Sequence, residues 1–412
     1  MHTHIDASAS VSLAGSGTAA PEAIHQAKSS PIRVKQRIVA VDAARGCAML
    51  LVCLSHIKPH FEVSAPEIYT ALVITTRVAT PTFLMLSGFV IGHLLRGNAR
   101  EDVRWLLVDR GLFLVLVVHF LLGLNELSYL PFSDWVFGKV MITDVIGVAL
   151  CVAVVIRGAS TAALFAAGGA LFVMSWIVAM TLVPESEGMQ LLGAVLFHLH
   201  SAPNRLIDIA FLPYLGVFLM GMGLSSYCRE ALQNGETGWL ARRLGTMGLI
   251  AIGLVITGIL AWHFFKHALP EGLREPHVMS LLRATLHPGY KAPPSPAYLL
   301  FYAGAGLVMT GLFFHGRPRW LASMTGKAAV IGKASLLCFI AQDWLLFLIP
   351  QLLGFHQLTS VPFWFGYLAL VVLILFYLSR QWIRLDGNRF FTVGLKRFMR
   401  RRRATAQVLT QA

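Results

Sequence analysis

The segment RIVAVDAARGCAMLLVCLSHIKPHF (37–61) places an aspartate, an arginine and a histidine inside an otherwise apolar run. Ionisable side chains in such a run are costly to bury in a membrane and mark functional sites. At about 100° per residue, Asp42, Arg45, Met49, Cys53 and His56 fall within a sector narrower than a third of a helix, so the polar groups share one face. That face is expected to point into a helix bundle rather than at lipid. Asp42 and Arg45 are three residues apart and can pair locally. The pair either serves only to orient one end of the helix, or leaves Arg45 to bind a phosphate group of a donor, for which a planar guanidinium is suited. His56 lies eleven residues beyond Arg45, about 16 Å along a helix axis. That is too far for contact and suits a long ligand threaded through the bundle. An imidazole accepts a proton from a hydroxyl near neutral pH. His56 is therefore a candidate general base; the simpler alternative is an interfacial histidine just before Lys58–Pro59.

A second run, ITTRVATPTFLMLSGFVIGHLLRG (74–97), carries Arg77 in its outer third. A guanidinium there needs a partner. Pro81 breaks the backbone ladder, which is tolerated where protein satisfies the released carbonyl again. Ser87 and Gly88 are small enough for close helix approach, so they read either as a packing face or as a substrate contact. Asp144, Lys333, Gln342 and Asp343 fall in later apolar runs. Each is a possible wall of a polar cavity or a helix-end group; Asp109, Arg110 and Asp208 read as the latter. His119, His198, His200 and His287 show no metal-ligand spacing beyond a weak H-x-H at 198–200, and no metal site is expected.

The elements that must position these groups follow from composition. Of 412 residues, 56% are hydrophobic and 13% charged, against about 25% charged in soluble domains. Runs of about 20 apolar residues, the length of a bilayer span, lie near 38–57, 68–95, 104–125, 136–156, 159–183, 206–227, 244–265, 297–315, 328–350 and 360–380. The stretch 188–200 reads as an interfacial or re-entrant helix. The net charge of +14 does not form one patch, which argues against nucleic-acid binding. Instead basic clusters (Lys28 to Arg37, Arg96 to Arg104, Arg157, Arg229 to Arg243, Arg317 to Lys327) alternate with acidic or mixed loops (Glu62 and Glu67, Glu126 and Asp134, Glu185 and Glu187). Basic flanks favour the cytoplasm, so the alternation puts both termini there and the Pro-rich loop 266–296 outside. The expected architecture is an all-α polytopic membrane bundle of about ten helices. Residues 1–34 form a polar leader without a signal-peptide core, 35–383 the membrane domain, and 384–412 a basic tail able to rest on anionic lipid. Five cysteines with no C-x-x-C pair read as free thiols.

The pattern R-x(4)-D-x(2)-R-G-x(9)-H, here Arg37, Asp42, Arg45, Gly46 and His56, resembles the first span of the transmembrane acyltransferase superfamily. That superfamily includes the type 3 acyltransferases, the heparan-α-glucosaminide N-acetyltransferase-like proteins and the periplasmic glucan succinyltransferases. RVATPTFLMLSGFVIG (77–92), YKAPPSPAYLLFYAGAG (290–306) and IGKASLLCFIAQ (331–342) are similar to later family segments in the expected order. The resemblance implies a membrane enzyme, in a bacterial inner membrane, with no bound cofactor. It would pass an acyl group, commonly acetyl from acetyl-CoA on the cytoplasmic side, to a hydroxyl or amine of an extracytoplasmic acceptor, usually a glycan. It also implies that His56 is general base or acyl relay and that Arg45 is the family arginine. In one respect the chain departs from the pattern. The family's late Gly-x-x-Ser-Leu segment is often followed by a histidine, and here that position is Gln342, which cannot act as a base. The competing function is a transporter of a small anion or lipid-linked sugar using Arg45 and Arg77, against which stands the lack of a visible inverted repeat.

Overall fold

A computed structural model describes residues 37–97, 101–126, 140–183, 185–197, 209–270, 275–316 and 318–395. The leader 1–34, His198, His200, Asp208 and the arginine run of the tail lie outside them. Packing divides the chain into Met1–Arg37 and Ile38–Ala412, and all the described helices belong to the second unit.

The described residues contain helices and no strand. In chain order the helices are α1 (Val39–Ile57), α2 (Pro66–Thr76), α3 (Ala79–Gly97), α4 (Glu101–Leu112), α5 (His119–Gly123), α6 (Ile142–Val155), α7 (Thr161–Thr181), α8 (Glu187–Phe197) and α9 (Phe211–Tyr227). They continue with α10 (Arg229–Asn234), α11 (Thr237–Phe265), α12 (Pro276–Leu286), α13 (Pro296–His315), α14 (Arg319–Lys333), α15 (Ser335–Asp343), α16 (Ile349–Leu352) and α17 (Val361–Arg384). A π-helical turn, Phe113–Val118, joins α4 to α5, and another, Trp344–Leu348, joins α15 to α16. Among the described residues eight stretches are long and apolar enough to cross a membrane, and the shorter apolar α6 and α9 occupy the places of the fourth and sixth expected spans. The chain is an all-α polytopic membrane bundle, as its hydropathy pattern predicts. Large apolar side chains stand exposed on α11 (Leu249, Leu254) and α17 (Leu370, Leu373), a surface suited to lipid rather than water.

Two expected spans are built differently. The run 68–95 is broken at Arg77–Val78 into α2 and α3. Pro81 explains the position of the break, because its ring would clash with the carbonyl four residues back, that of Arg77. The released Arg77 carbonyl accepts a hydrogen bond from the Tyr298 hydroxyl at 3.3 Å. The run 328–350 is two helices, divided at Ala334. α14 begins earlier than its apolar stretch suggests because it is amphipathic. Leu321, Thr325, Ala328, Ala329 and Gly332 are buried while Met324, Gly326 and Lys327 are exposed, a helical stripe that a search for unbroken hydropathy passes over. The membrane run then starts at Ser335.

The buried apolar side chains form three clusters, and Ile146 of α6 and Phe339 of α15 pack against all three. α15 therefore runs through the middle of the core. Its approach to α1 is set one turn earlier by glycines. A Cβ on Gly46 would lie 2.0 Å from the Ala328 carbonyl oxygen, and one on Gly332 would lie 1.8 Å from that of Asp42. Only hydrogen fits at either position, so α1 and α14 touch backbone to backbone. Gly332→Ala should accordingly lower stability by about 1–3 kcal/mol, the cost of overpacking, seen as a fall in thermal unfolding midpoint in detergent. Gly326→Ala in the same helix, where an added methyl meets nothing within 4 Å, should not lower it.

Candidate active site

Three residues of one late segment read the inward face of α1 in register. Gly332 abuts the Asp42 carbonyl. Ser335, at the start of α15, accepts a hydrogen bond from Arg45 Nη2 at 2.8 Å. Gln342, two turns further on, meets His56 Nδ1 through its Oε1 at 2.7 Å. α1 and α15 thus run side by side in the same direction. Between the two polar contacts Met49 and Cys53 are fully buried. Asp42 is buried too, 7% exposed, on the same side. The shared face expected from the sequence does point inward.

The Gln342 side chain is wholly buried, and its Nε2 donates to the Phe339 carbonyl at 3.1 Å. That second bond orients the amide, since the flipped form would set Oε1 against a carbonyl oxygen. Oε1 can only accept, so the proton of a neutral His56 sits on Nδ1 and the lone pair on Nε2. This is the tautomer of an imidazole held as a base by its other nitrogen. The Phe347 ring packs on His56 at 4.8 Å between centroids, tilted by 51°. Gln342, which departs from the family's histidine, is the group that fixes the histidine of the first span.

Around Arg45, the Phe83 ring of α3 lies 5.3 Å from Cζ, a cation–π contact worth about 0.5–2 kcal/mol according to how far it is desolvated. Neither Ser335 nor Phe83 was singled out by sequence pattern, although both lie within the stretches that carry the family resemblance. Gly332, Ser335 and Gln342 follow the same order along α14 and α15 as Asp42, Arg45 and His56 do along α1, but the second steps differ, seven residues against eleven, so spacing alone did not reveal the pairing.

The other candidates make contacts of their own. Arg77 is half-buried at the break between α2 and α3. Ser87 donates back to the Phe83 carbonyl at 2.7 Å, within its own helix. A Cβ on Gly88 would lie 2.0 Å from the Phe218 carbonyl oxygen, so Gly88 admits α9 to close contact. Asp144 pairs with His119 Nδ1 at 2.8 Å through the oxygen that also accepts the Met141 backbone N–H, at 2.8 Å. Lys333 is half-buried at the end of α14, and its carbonyl accepts from Asn388 at 3.4 Å. The Asp343 carboxylate accepts from Asn125 Nδ2, which also donates to the Asp343 carbonyl at 3.2 Å. Beside it the Trp344 indole donates to the Leu121 carbonyl at 2.9 Å. These bonds fasten the π turn that follows Gln342, and Tyr367 supplies a further one, its hydroxyl donating to the Leu345 carbonyl at 2.6 Å. Such turns loosen the helical ladder and recur at functional sites. Among the described residues no three His, Cys, Asp or Glu side chains gather to hold a metal ion.

A family model described as an acyltransferase domain, that of the acyltransferase 3 family, matches residues 38–380. The chain belongs to this family. No curated protein and no solved structure shows significant similarity to it. The matched span of this acyltransferase contains every residue of the line from Asp42 to Gln342.

In the acyltransferase the His56–Gln342 bond can be tested by removing only the acceptor. Gln342→Leu strands a buried Nδ1–H, a cost of about 1–3 kcal/mol, and leaves the tautomer unfixed. Acyl transfer should fall roughly tenfold to hundredfold, measured as product formed by purified protein in lipid discs. Gln342→Glu keeps an oxygen that accepts from Nδ1–H and should retain more of the transfer than Gln342→Leu does in the same measurement.

Proposed function

We propose that this protein moves an acyl group, acetyl in the first instance, from acyl-CoA on the cytoplasmic side of a bacterial inner membrane to a hydroxyl or amine of an extracytoplasmic acceptor, a glycan or related molecule. The observation that carries the reading is the 2.7 Å contact of His56 Nδ1 with Gln342 Oε1. It holds an imidazole inside the membrane domain of an acyltransferase with its basic nitrogen directed away from the amide. No such fixed base is needed to bind an anion or to pack two helices.

The chemistry is acyl transfer from a thioester to an oxygen or nitrogen. The acceptor's hydroxyl or amine gives its proton to His56 Nε2 as its oxygen or nitrogen attacks the thioester carbonyl. A new ester or amide bond forms, the carbon–sulfur bond breaks, and the proton on His56 returns to the departing CoA sulfur. Acyl-CoA is a co-substrate here, not a resident cofactor. Arg45 lies about 16 Å along the axis from His56 on the same face, at the end of α1 that the charge alternation assigns to the cytoplasm. Its fork suits a phosphate of the donor, with the reach between Arg45 and His56 left to the donor's long arm. The Ser335 hydroxyl and the Phe83 ring hold the guanidinium in place for that role.

His56→Ala removes the base while leaving the glycine contacts that assemble the bundle. Positioned general bases contribute about 10²–10⁴-fold. Transfer of labelled acetyl from acetyl-CoA to envelope glycans, read by mass spectrometry, should fall by at least a hundredfold, while the protein stays folded and inserted with a lower unfolding midpoint, since the buried Gln342 Oε1 loses its donor at a cost of about 1–3 kcal/mol. Unaltered glycan acylation in cells carrying only His56→Ala would refute the proposal.

A further inference from the structure

A second polar site lies where α4 and α6 part. The two helices run antiparallel and touch at Gly111 and Gly147. A Cβ on the first would lie 2.5 Å from the Gly147 carbonyl oxygen, and one on the second 2.7 Å from that of Gly111. From that crossing they diverge, and seven residues back along α4, about 10 Å, a cavity of about 500 Å³ opens. Arg104 and Trp105 face it from α4, Val154 and Val155 from α6, and Arg157 and Gly158 from the turn beyond. Arg96 donates to the Ala159 carbonyl at 2.7 Å and so ties that turn to α3.

The described lining of the cavity carries two arginines and no carboxylate. Among the described residues no carboxylate pairs with Arg104 or Arg157. Asp109, one turn along α4, is engaged by the Thr392 hydroxyl and by the Leu395 N–H, the latter at 2.9 Å. The walls are apolar: Val155 is 83% exposed, next to two guanidinium groups and an indole. Paired arginines bind phosphate through charge-assisted, often two-pronged hydrogen bonds. Tryptophan beside exposed aliphatic side chains belongs at the boundary between lipid tails and headgroups.

We infer that this cleft is a binding site for an anionic phospholipid, whose phosphate sits between Arg104 and Arg157 and whose chain lies on Val155. A soluble phosphate compound would meet the arginines but has no use for an exposed valine wall. The arginines belong to the basic clusters that the charge alternation assigns to the inner leaflet, where anionic lipid concentrates. The site is independent of His56 and of any acyl acceptor.

The test is a thermal unfolding titration of the full chain in neutral detergent with phosphatidylglycerol, phosphatidylcholine or inorganic pyrophosphate. Phosphatidylglycerol should raise the midpoint by several degrees and phosphatidylcholine should not. The gain should vanish in the double variant Arg104→Gln, Arg157→Gln. If that variant does not fold, Gly158→Glu decides. An added Cβ at Gly158 meets nothing within 4 Å, and the new carboxylate would occupy the arginines from within and abolish the phosphatidylglycerol gain. A phosphatidylglycerol gain that persists in the variant measured would overturn the inference. So would pyrophosphate stabilising the wild type and displacing phosphatidylglycerol, which would assign the cleft to a soluble phosphate ligand.

Discussion

The hydrogen bond between His56 and Gln342 is the constraint from which the site's geometry follows. Both groups are polar, Gln342 wholly buried and His56 partly so, and a buried amide without partners is costly. Gln342 meets that cost with two partners at once, His56 on α1 and the Phe339 carbonyl on its own helix. The arrangement holds only if α1 and α15 keep their spacing and register. Spacing is fixed by Gly46 and Gly332, whose missing side chains let the backbones of α1 and α14 meet. Register is fixed by Arg45 on Ser335. The lower contacts thus aim the upper one, and the polar face of α1 is met by α14 and α15, with Phe83 of α3 against Arg45.

The same region concentrates departures from regular helix. The break between α2 and α3, the π turn after α4 and the π turn after α15 each release backbone groups inside the membrane domain. Lipid could not satisfy them. Tyrosine hydroxyls do so at two places, Tyr298 for the Arg77 carbonyl and Tyr367 for the Leu345 carbonyl, while Asn125 and the Trp344 indole tie the start of the second π turn to α5 and the residues just after it. Irregular backbone is thereby confined to positions backed by protein. The π turn after α15 also carries Phe347, whose ring packs on His56.

Much of this was legible beforehand, for identifiable reasons. Spans announce themselves because about 20 apolar residues have few other uses, and the common face of Asp42, Arg45 and His56 follows from helical period alone. α14 was misplaced because its signal is a stripe rather than a run, and its boundary with α15 at Ala334 carries no proline to mark it. Pro81 was visible, but whether it would kink one helix or separate two depended on Tyr298, more than two hundred residues away. The role of Gln342 was hidden for the same reason. Read alone it is a lost base; only its distance from His56 shows what it holds. Ser87 and Gly88 left two readings open, and the helix crossing with α9 supplies the contacts of the packing one.

The most direct test of this account is the protonation of the His56 ring itself. In protein labelled with ¹⁵N-histidine and held in lipid discs, with the signal assigned by its loss in His56→Gln, nitrogen chemical shifts above the titration range report which ring nitrogen carries the proton. The account predicts a protonated Nδ1 and a bare Nε2. A proton resident on Nε2 would contradict it, because Gln342 would then not be directing the basic nitrogen toward an acceptor.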